Sequence, residues 1–290
     1  MLRFRGATTQ MECWVSGLWL QRSASTRGKA AQIDVRRAHS ARVYDYWLGG
    51  KDNFAADRDA AEEAIAASPG IVETVRANRA FLARSVRFLA AERGVRQFLD
   101  IGAGLPSAPN THEIAQSAGP SGRVVYVDND PIVVAHARAM MVSGPDGSCD
   151  CVDADLRDPA LILKAAARTL DLSRPVALLL LLILHLIPEA DGPHDVVRAL
   201  LAGLPEGSYL VVSHPAGDIR PDSVAEMTRR MNQRLDGPKA TMRDRQQISR
   251  FFDGLELLEP GVVEPPQWRP DPGGPAPSDV TIWCGAGRKR

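Results

Sequence analysis

The sequence predicts an α/β fold: a Rossmann-like, mostly parallel sheet with a helical extension in front of it. Three observations carry the prediction. Phe98-Leu-Asp-Ile-Gly-Ala-Gly104 is an apolar strand running into a glycine turn, and Val124-Val-Tyr-Val-Asp128 is a second strand ending in a carboxylate. From Arg93 to Leu210 strand-like and helix-like segments alternate, as in successive βαβ units. The run Val176 to Ile187, 12 residues between Pro175 and Pro188, is apolar apart from His185. A membrane span needs about 20 such residues, whereas a central parallel strand covered on both faces needs fewer.

Each element has a local reason. Between Val35 and Ala91 the pattern is helical: Ala55-Ala-Asp-Arg-Asp-Ala-Ala-Glu-Glu-Ala-Ile-Ala-Ala67 is rich in helix formers, Ser68-Pro-Gly70 interrupts it, and Val75, Phe81, Leu82, Val86 and Leu89 recur at helical spacing. Strands are expected at 97–101, 123–127, 148–152, 176–182 and 208–213, with helices between them, one opening near Thr111 and one over 130–142. Leu255-Glu-Leu-Leu258 and Asp279-Val-Thr-Ile-Trp-Cys284 read as two further strands, paired antiparallel across a Pro/Gly-rich loop. The domain organisation that follows is residues 1–34 as a disordered or wrongly started extension, 35–92 as a helical lid or preface, and 93–290 as the sheet domain. Met1 to Gln32 only loosely mimics a signal peptide, because its apolar patch is short and its basic region thin.

Composition bounds the function. At 290 residues, 44% hydrophobic and 24% charged, the chain can bury one large core. Its 35 basic and 35 acidic residues cancel, so no net field recruits nucleic acid or an anionic membrane. The four cysteines lack paired CxxC spacing and suit reduced thiols in a cytoplasmic protein. Cys149 and Cys151, two apart on a strand, share a face but cannot alone make a tetrahedral zinc site, and no metal is expected.

The glycine turn and the carboxylate point to a nucleoside-bearing cofactor. Glycines let the backbone approach a ligand closely, and a carboxylate about 20–30 residues on can accept both ribose hydroxyls. A dinucleotide fingerprint would put a third glycine where Ser107 stands in Gly104-Leu-Pro-Ser-Ala-Pro109, and the two prolines delay the helix whose N-terminus would hold a pyrophosphate. Asp100 would repel phosphate but attract the ammonium of an amino acid. A nucleoside with an amino-acid tail is S-adenosylmethionine. Gly102, Gly104, Asp128 and the adjoining Asn129 are the candidate cofactor residues, with Asp100 at the amino-acid end. In Cys149-Asp-Cys-Val-Asp-Ala-Asp-Leu156, Asp155 and Leu156 are candidates for the adenine, although Asp155-Leu-Arg-Asp-Pro159 reads equally as a helix cap and start.

Longer motifs extend the reading. Ala41-Arg-Val-Tyr-Asp-Tyr-Trp-Leu-Gly-Gly-Lys-Asp-Asn-Phe54, Val75-Arg-Ala-Asn-Arg-Ala-Phe81, Gln97-Phe-Leu-Asp-Ile-Gly-Ala-Gly-Leu-Pro106 with Asn110-Thr-His112, and Tyr126-Val-Asp-Asn-Asp-Pro131 resemble the actinobacterial S-adenosylmethionine-dependent methyltransferase family DUF574. The likeness runs from about Ala38 to the C-terminus. It implies a class I methyltransferase fold, with a seven-stranded, mostly parallel Rossmann-like sheet, and S-adenosylmethionine as cofactor. The family resemblance does not name an acceptor. The departures are Met1 to Val35 and the leucine-rich stretch 178–184.

The preface holds further chemistry. Tyr44, Tyr46 and Gly50 belong to a polar and aromatic cluster around Leu48-Gly-Gly50, expected to close over the cofactor as a lid. Methyl transfer from a sulfonium is an in-line displacement that gains from orientation and water exclusion, and aromatic faces near the sulfonium add cation–π attraction. His185, at the end of the fourth strand, and His214, after the fifth, are the candidate catalytic bases; each reads equally as a histidine that braces its surroundings. The expected activity is methyl transfer to a small molecule. A non-catalytic protein that binds or senses S-adenosylmethionine is the alternative, and Ser107 disfavours a nucleotide-dependent oxidoreductase.

Overall fold

Ala177–Leu181, the core of the long apolar run, is the fourth strand (β4) of a seven-stranded sheet, with all five residues buried. The computed structural model describes residues 34–290 apart from 141–143, 145, 236, 272 and 274–278. The expectations for Met1 to Ile33 therefore lie outside the described residues. Asp34–Arg290 forms one compact unit.

Three helices come first: α1 (Ser40–Trp47), α2 (Ala55–Ala67) and α3 (Ile71–Ala91). Strands and helices then alternate as β1 (Gln97–Ile101), α4 (Thr111–Ala118), β2 (Arg123–Asp128), α5 (Pro131–Met140), β3 (Ser148–Asp153), α6 (Pro159–Ala166), β4, α7 (Pro193–Ala202) and β5 (Tyr209–Pro215). Two helices, α8 (Pro221–Arg234) and α9 (Arg245–Ser249), precede the closing strands β6 (Leu255–Leu257) and β7 (Ile282–Lys289). The sheet order is β3-β2-β1-β4-β5-β7-β6, parallel through β5 and antiparallel at β7 and β6. This is the class I methyltransferase arrangement. The chain moves outward from β1 to β3 and then crosses back to β4 beside β1, so the crevice for a ligand lies at the C-terminal ends of β1 and β4.

The period of two along each strand divides the interior. Leu99, Ile101, Leu178 and Leu180 face one buried cluster, while Phe98, Ala177, Leu179 and Leu181 face the other. On the second face Trp268 is fully buried and meets Phe81 and Phe88 edge-on at 5.2 and 5.8 Å, which seats α3 against the C-terminal loop. A third cluster is separate: Val43 from α1, Ala60, Ala61 and Ala64 from α2, Ile71 and Val75 from α3, and Met227 and Met231 from α8. It forms a helical cap.

The apolar run is not one strand. It ends at Leu181; Leu182 takes a left-handed φ of 50°, and Leu184–Leu186 form a 3₁₀ turn. The Leu182 N–H makes the last ladder bond, to the Ser213 backbone oxygen, and shares it with the Ser213 hydroxyl; beyond that bond the left-handed Leu182 turns the chain out of the strand, and His185 falls in the 3₁₀ turn instead of within β4.

Candidate functional site

The turn after β1 opens a cavity between the sheet edge and the helical cap. Gly102 and Gly104 have φ of 76° and 64°, a left-handed conformation that a side chain would strain. At Gly102 a Cβ would also lie 2.6 Å from Ile183, whereas at Gly104 it would enter open space. The bare backbone of Gly104 is thus a cradle facing the cavity. Its N–H donates to Asp128 Oδ2 at 3.0 Å, and the Asp130 N–H donates to Oδ1 at 2.9 Å. Each Asp128 oxygen keeps a lone pair for a further donor. Burial raises the Asp128 carboxyl above its usual range, against the pull of those two N–H groups.

Asp100 ends β1 on the same wall, 5% exposed. It accepts from the Thr111 hydroxyl at 2.7 Å, and burial pushes its pKa up to about 6. Among the described residues no ion pair forms to it, although the charge of Arg79 draws its pKa down. Across the cavity Asn129, Asp155 and Leu156 follow β2 and β3. Leu156 is 5% exposed and offers a flat apolar surface. Asp155 is less free than expected: Arg157 grips it at 2.7 Å, Asn129 donates to it at 3.3 Å, and the Arg157 hydrogen bonds hold its carboxyl below the usual range.

The cap supplies the facing wall. Tyr44 lines the cavity, with its hydroxyl taking a 3.0 Å bond from Asn78, whose amide oxygen accepts from Ser213 at 2.6 Å. Through Ser213 this chain of bonds reaches the Leu182 N–H, so the lid and the end of β4 are joined. Two candidates do not reach the cavity. Tyr46 turns to α2 and donates to Glu62 at 2.6 Å. Gly50 sits outside because its role is spatial: a Cβ there would fall 2.0 Å from Asp45 Oδ1, and the Asp45 carboxylate closes the loop by accepting from Asp52 and Asn53.

The two histidines separate. His214 is fully buried and does not line the cavity. Its Nδ1 lies 2.8 Å from the Pro215 carbonyl oxygen, which can only accept, so Nδ1 carries the proton and Nε2 accepts from Arg243 at 2.8 Å. Both nitrogens are committed. His214 braces Arg243, which also binds Glu189 and the carbonyls of Leu184 and Ile187. His185 lines the cavity, its Nδ1 has no partner, and burial together with the Arg243 charge lowers its pKa to about 4. It is neutral at pH 7.

Residues missed from the sequence share the wall. Arg79 lines it beside Asp100 and donates to the carbonyls of Ser107 and Pro109, clamping the proline turn. His39 Nδ1 lies 2.8 Å from Asp130 Oδ2 and latches the cap to the loop after β2. Arg79 sits inside the Val75–Phe81 motif, so its presence was legible while its direction was not. Among the described residues no group of three or more His, Cys, Asp or Glu is placed to hold a metal ion, and no helix is long and apolar enough to cross a membrane.

Known proteins share this arrangement. A DUF574 family protein from Streptomyces avermitilis is 44% identical, with a TM-score of 0.85 over 89% of this chain and 100% of its own. A candidate methyltransferase from Thermobifida fusca is 40% identical, with a TM-score of 0.81 over 91% of this chain and 100% of its own. The plantazolicin methyltransferase BpumL, solved with S-adenosylhomocysteine, shares the fold at 11% identity, with a TM-score of 0.53 over 86% of this chain and 96% of its own. No curated protein matches. The family described as S-adenosyl methyltransferase matches residues 26–290, and the chain belongs to it.

Proposed function

We propose that the cavity holds S-adenosylmethionine, the family's cofactor, and that the protein transfers its methyl group to a small-molecule acceptor in the cytoplasm. One observation carries the reading: an unpaired buried carboxylate at Asp100, an open glycine cradle at Gly104 and a half-satisfied carboxylate at Asp128 share one wall. The residues fit the cofactor's groups in order. Asp128 accepts the ribose hydroxyls with its remaining lone pairs, and Asn129 stands beside it. Leu156 packs on the adenine. Asp155, while bridged to Arg157, keeps the polar edge of that subsite. Asp100 pairs with the ammonium, and Arg79 adds positive charge for the carboxylate at the same end.

When bound, the cofactor supplies a sulfonium whose methyl carbon is electrophilic. The chain's own residues orient and enclose it. Tyr44 and the end of β4 wall off water, and His185, neutral at pH 7, offers a lone pair to an acceptor hydroxyl or N–H. His214 has no such lone pair to give. A sensor would use only the nucleoside end, and the space beyond His185 favours the enzyme.

Calorimetry tests the reading. S-adenosylhomocysteine should bind, NAD should bind far more weakly, and hydrogen exchange over residues 42–53 should slow when the former is added. Comparable or tighter NAD affinity would remove the methyltransferase reading.

A further inference from the structure

α8 and the loop after it wall part of the same cavity, its apolar lobe. Val224, Met227 and Met231 reach it from one face of the helix, and Leu235, Pro238 and Met242 from the loop. All five charged residues of α8, Asp222, Glu226, Arg229, Arg230 and Arg234, lie off this wall. Several are already paired outside, Glu226 with Arg229 and Arg230, and Arg234 with Glu63. The one hydroxyl on this helix face, Thr228, donates to its own helix at the Val224 carbonyl, 2.7 Å away. His185 on the same cavity wall is neutral, and the buried Arg243, which does not line the cavity, is spent on Glu189, His214 and two carbonyls.

The structure assigns this lobe to the methyl acceptor and, resting on the cofactor reading above, we infer that the acceptor is a neutral, mainly apolar ring-bearing molecule with one hydroxyl or N–H directed at His185. A charged acceptor would lose its hydration here and find no counter-charge among the cavity-lining residues of α8 and the loop after it. An apolar ring gains from burial, and among the described residues His185 brings to this cavity wall a buried Nδ1 that has no hydrogen-bond partner. Three of the chain's seven methionines converge on the lobe. Unbranched thioether side chains repack around different outlines, so the site should tolerate changes in ring size better than the gain of a charge.

The test uses the full chain and two probes of one shape, 2-naphthol and 2-naphthoate, titrated with and without saturating S-adenosylhomocysteine. 2-Naphthol should bind at least tenfold more tightly than 2-naphthoate. Met242→Glu should weaken 2-naphthol at least tenfold while S-adenosylhomocysteine affinity stays within twofold. On the unaltered chain, 2-naphthol should also slow peroxide oxidation of Met242, which needs no variant to fold. Equal binding of the two probes, or absence of protection at Met242, overturns the assignment. Failure of S-adenosylhomocysteine to bind overturns the cofactor reading instead, and the naphthol titration without it still decides the lobe.

Discussion

The sheet and the cap are held together by different physics. Around β1, β4 and β5 the interior is large aliphatic and aromatic side chains, most of them under 5% exposed, on both faces of the strands. The cap core instead leans on alanines of α2, which bury little area each, and on pliable methionines of α8. What replaces that area is polar. Asp57, fully buried, accepts from the Arg42 guanidinium, the His39 N–H and the Phe54 N–H. A packed sheet resists deformation everywhere at once, whereas a cap pinned by a few directional bonds can come away as a unit when those bonds break. The densely packed sheet carries Asp100, Gly104 and Asp128, and the cap carries Tyr44 and the α8 wall. That division suits a site that must admit ligands and then exclude water.

The sharpest way to break the comparison is Asp57→Ala. It strands the buried Arg42 charge, and the loss of one partner from a buried pair costs about 3–5 kcal/mol. The loss should be local: hydrogen exchange should accelerate across α1 and α2 and leave β1, β4 and β5 protected. Uniform acceleration would show that cap and sheet unfold together.

Leu179→Ala probes the other half. Leu179 is fully exposed to neighbours and not to solvent, at 0%, and truncation of such a leucine costs about 2–5 kcal/mol. Here the whole denaturation midpoint should fall, while the folded fraction still binds S-adenosylhomocysteine.

Asp128→Ala should weaken cofactor binding by about 2–4 kcal/mol, because charge-assisted bonds to two hydroxyls contribute about 1.5–3 kcal/mol each before losses to solvent. Ligand-free stability should change little, since this carboxylate is raised, not favoured, by its burial. An unchanged affinity in calorimetry would move the ribose contact to Asp130.

A smaller effect comes from pH. Burial holds Asp100 at about 6 in the ligand-free protein, and an ammonium beside it favours the ionised form. Below pH 6 binding must therefore expel a proton, and affinity should fall by up to tenfold per unit of pH, levelling off above 6. Without ligand the sign reverses. A folded pKa above the unfolded one adds stability below about pH 4, and that contribution is lost as pH rises through 6. Asp100→Asn should flatten both profiles, and a binding curve whose slope survives the substitution would take Asp100 out of the site.

Much of this was legible locally. The β1 turn, the β2 carboxylate, the antiparallel closing pair and the helical preface are set by hydrophobic period, glycine placement and breaker residues; the first six strands were expected within about two residues of where they lie, while β7 starts three residues later and ends five residues later than expected. Two further features of the cavity wall were also within reach of local reasoning. Tyr44 and Tyr46 stand two apart on a helix, about 200° around its axis, so both could not face one cavity. Val224, Met227 and Met231 are spaced three and four apart, a helical stripe that marks α8 as half-buried.

By itself, then, the sequence determined the α/β class, the position of the glycine cradle and its paired carboxylates, and the likeness that carries the cofactor, because each depends on residues close together in the chain. The tertiary structure decided the rest. Only in the folded chain does the ladder stop at Ser213 and the left-handed Leu182 bring His185 to the cavity wall, and only Pro215 and Arg243 together occupy both nitrogens of His214. Only the packing of α8 against the helical cap brings its apolar stripe to the same cavity as the cradle. Which of two similar residues is available for chemistry depends on partners dozens of residues away, and a strand or helix pattern carries no record of them.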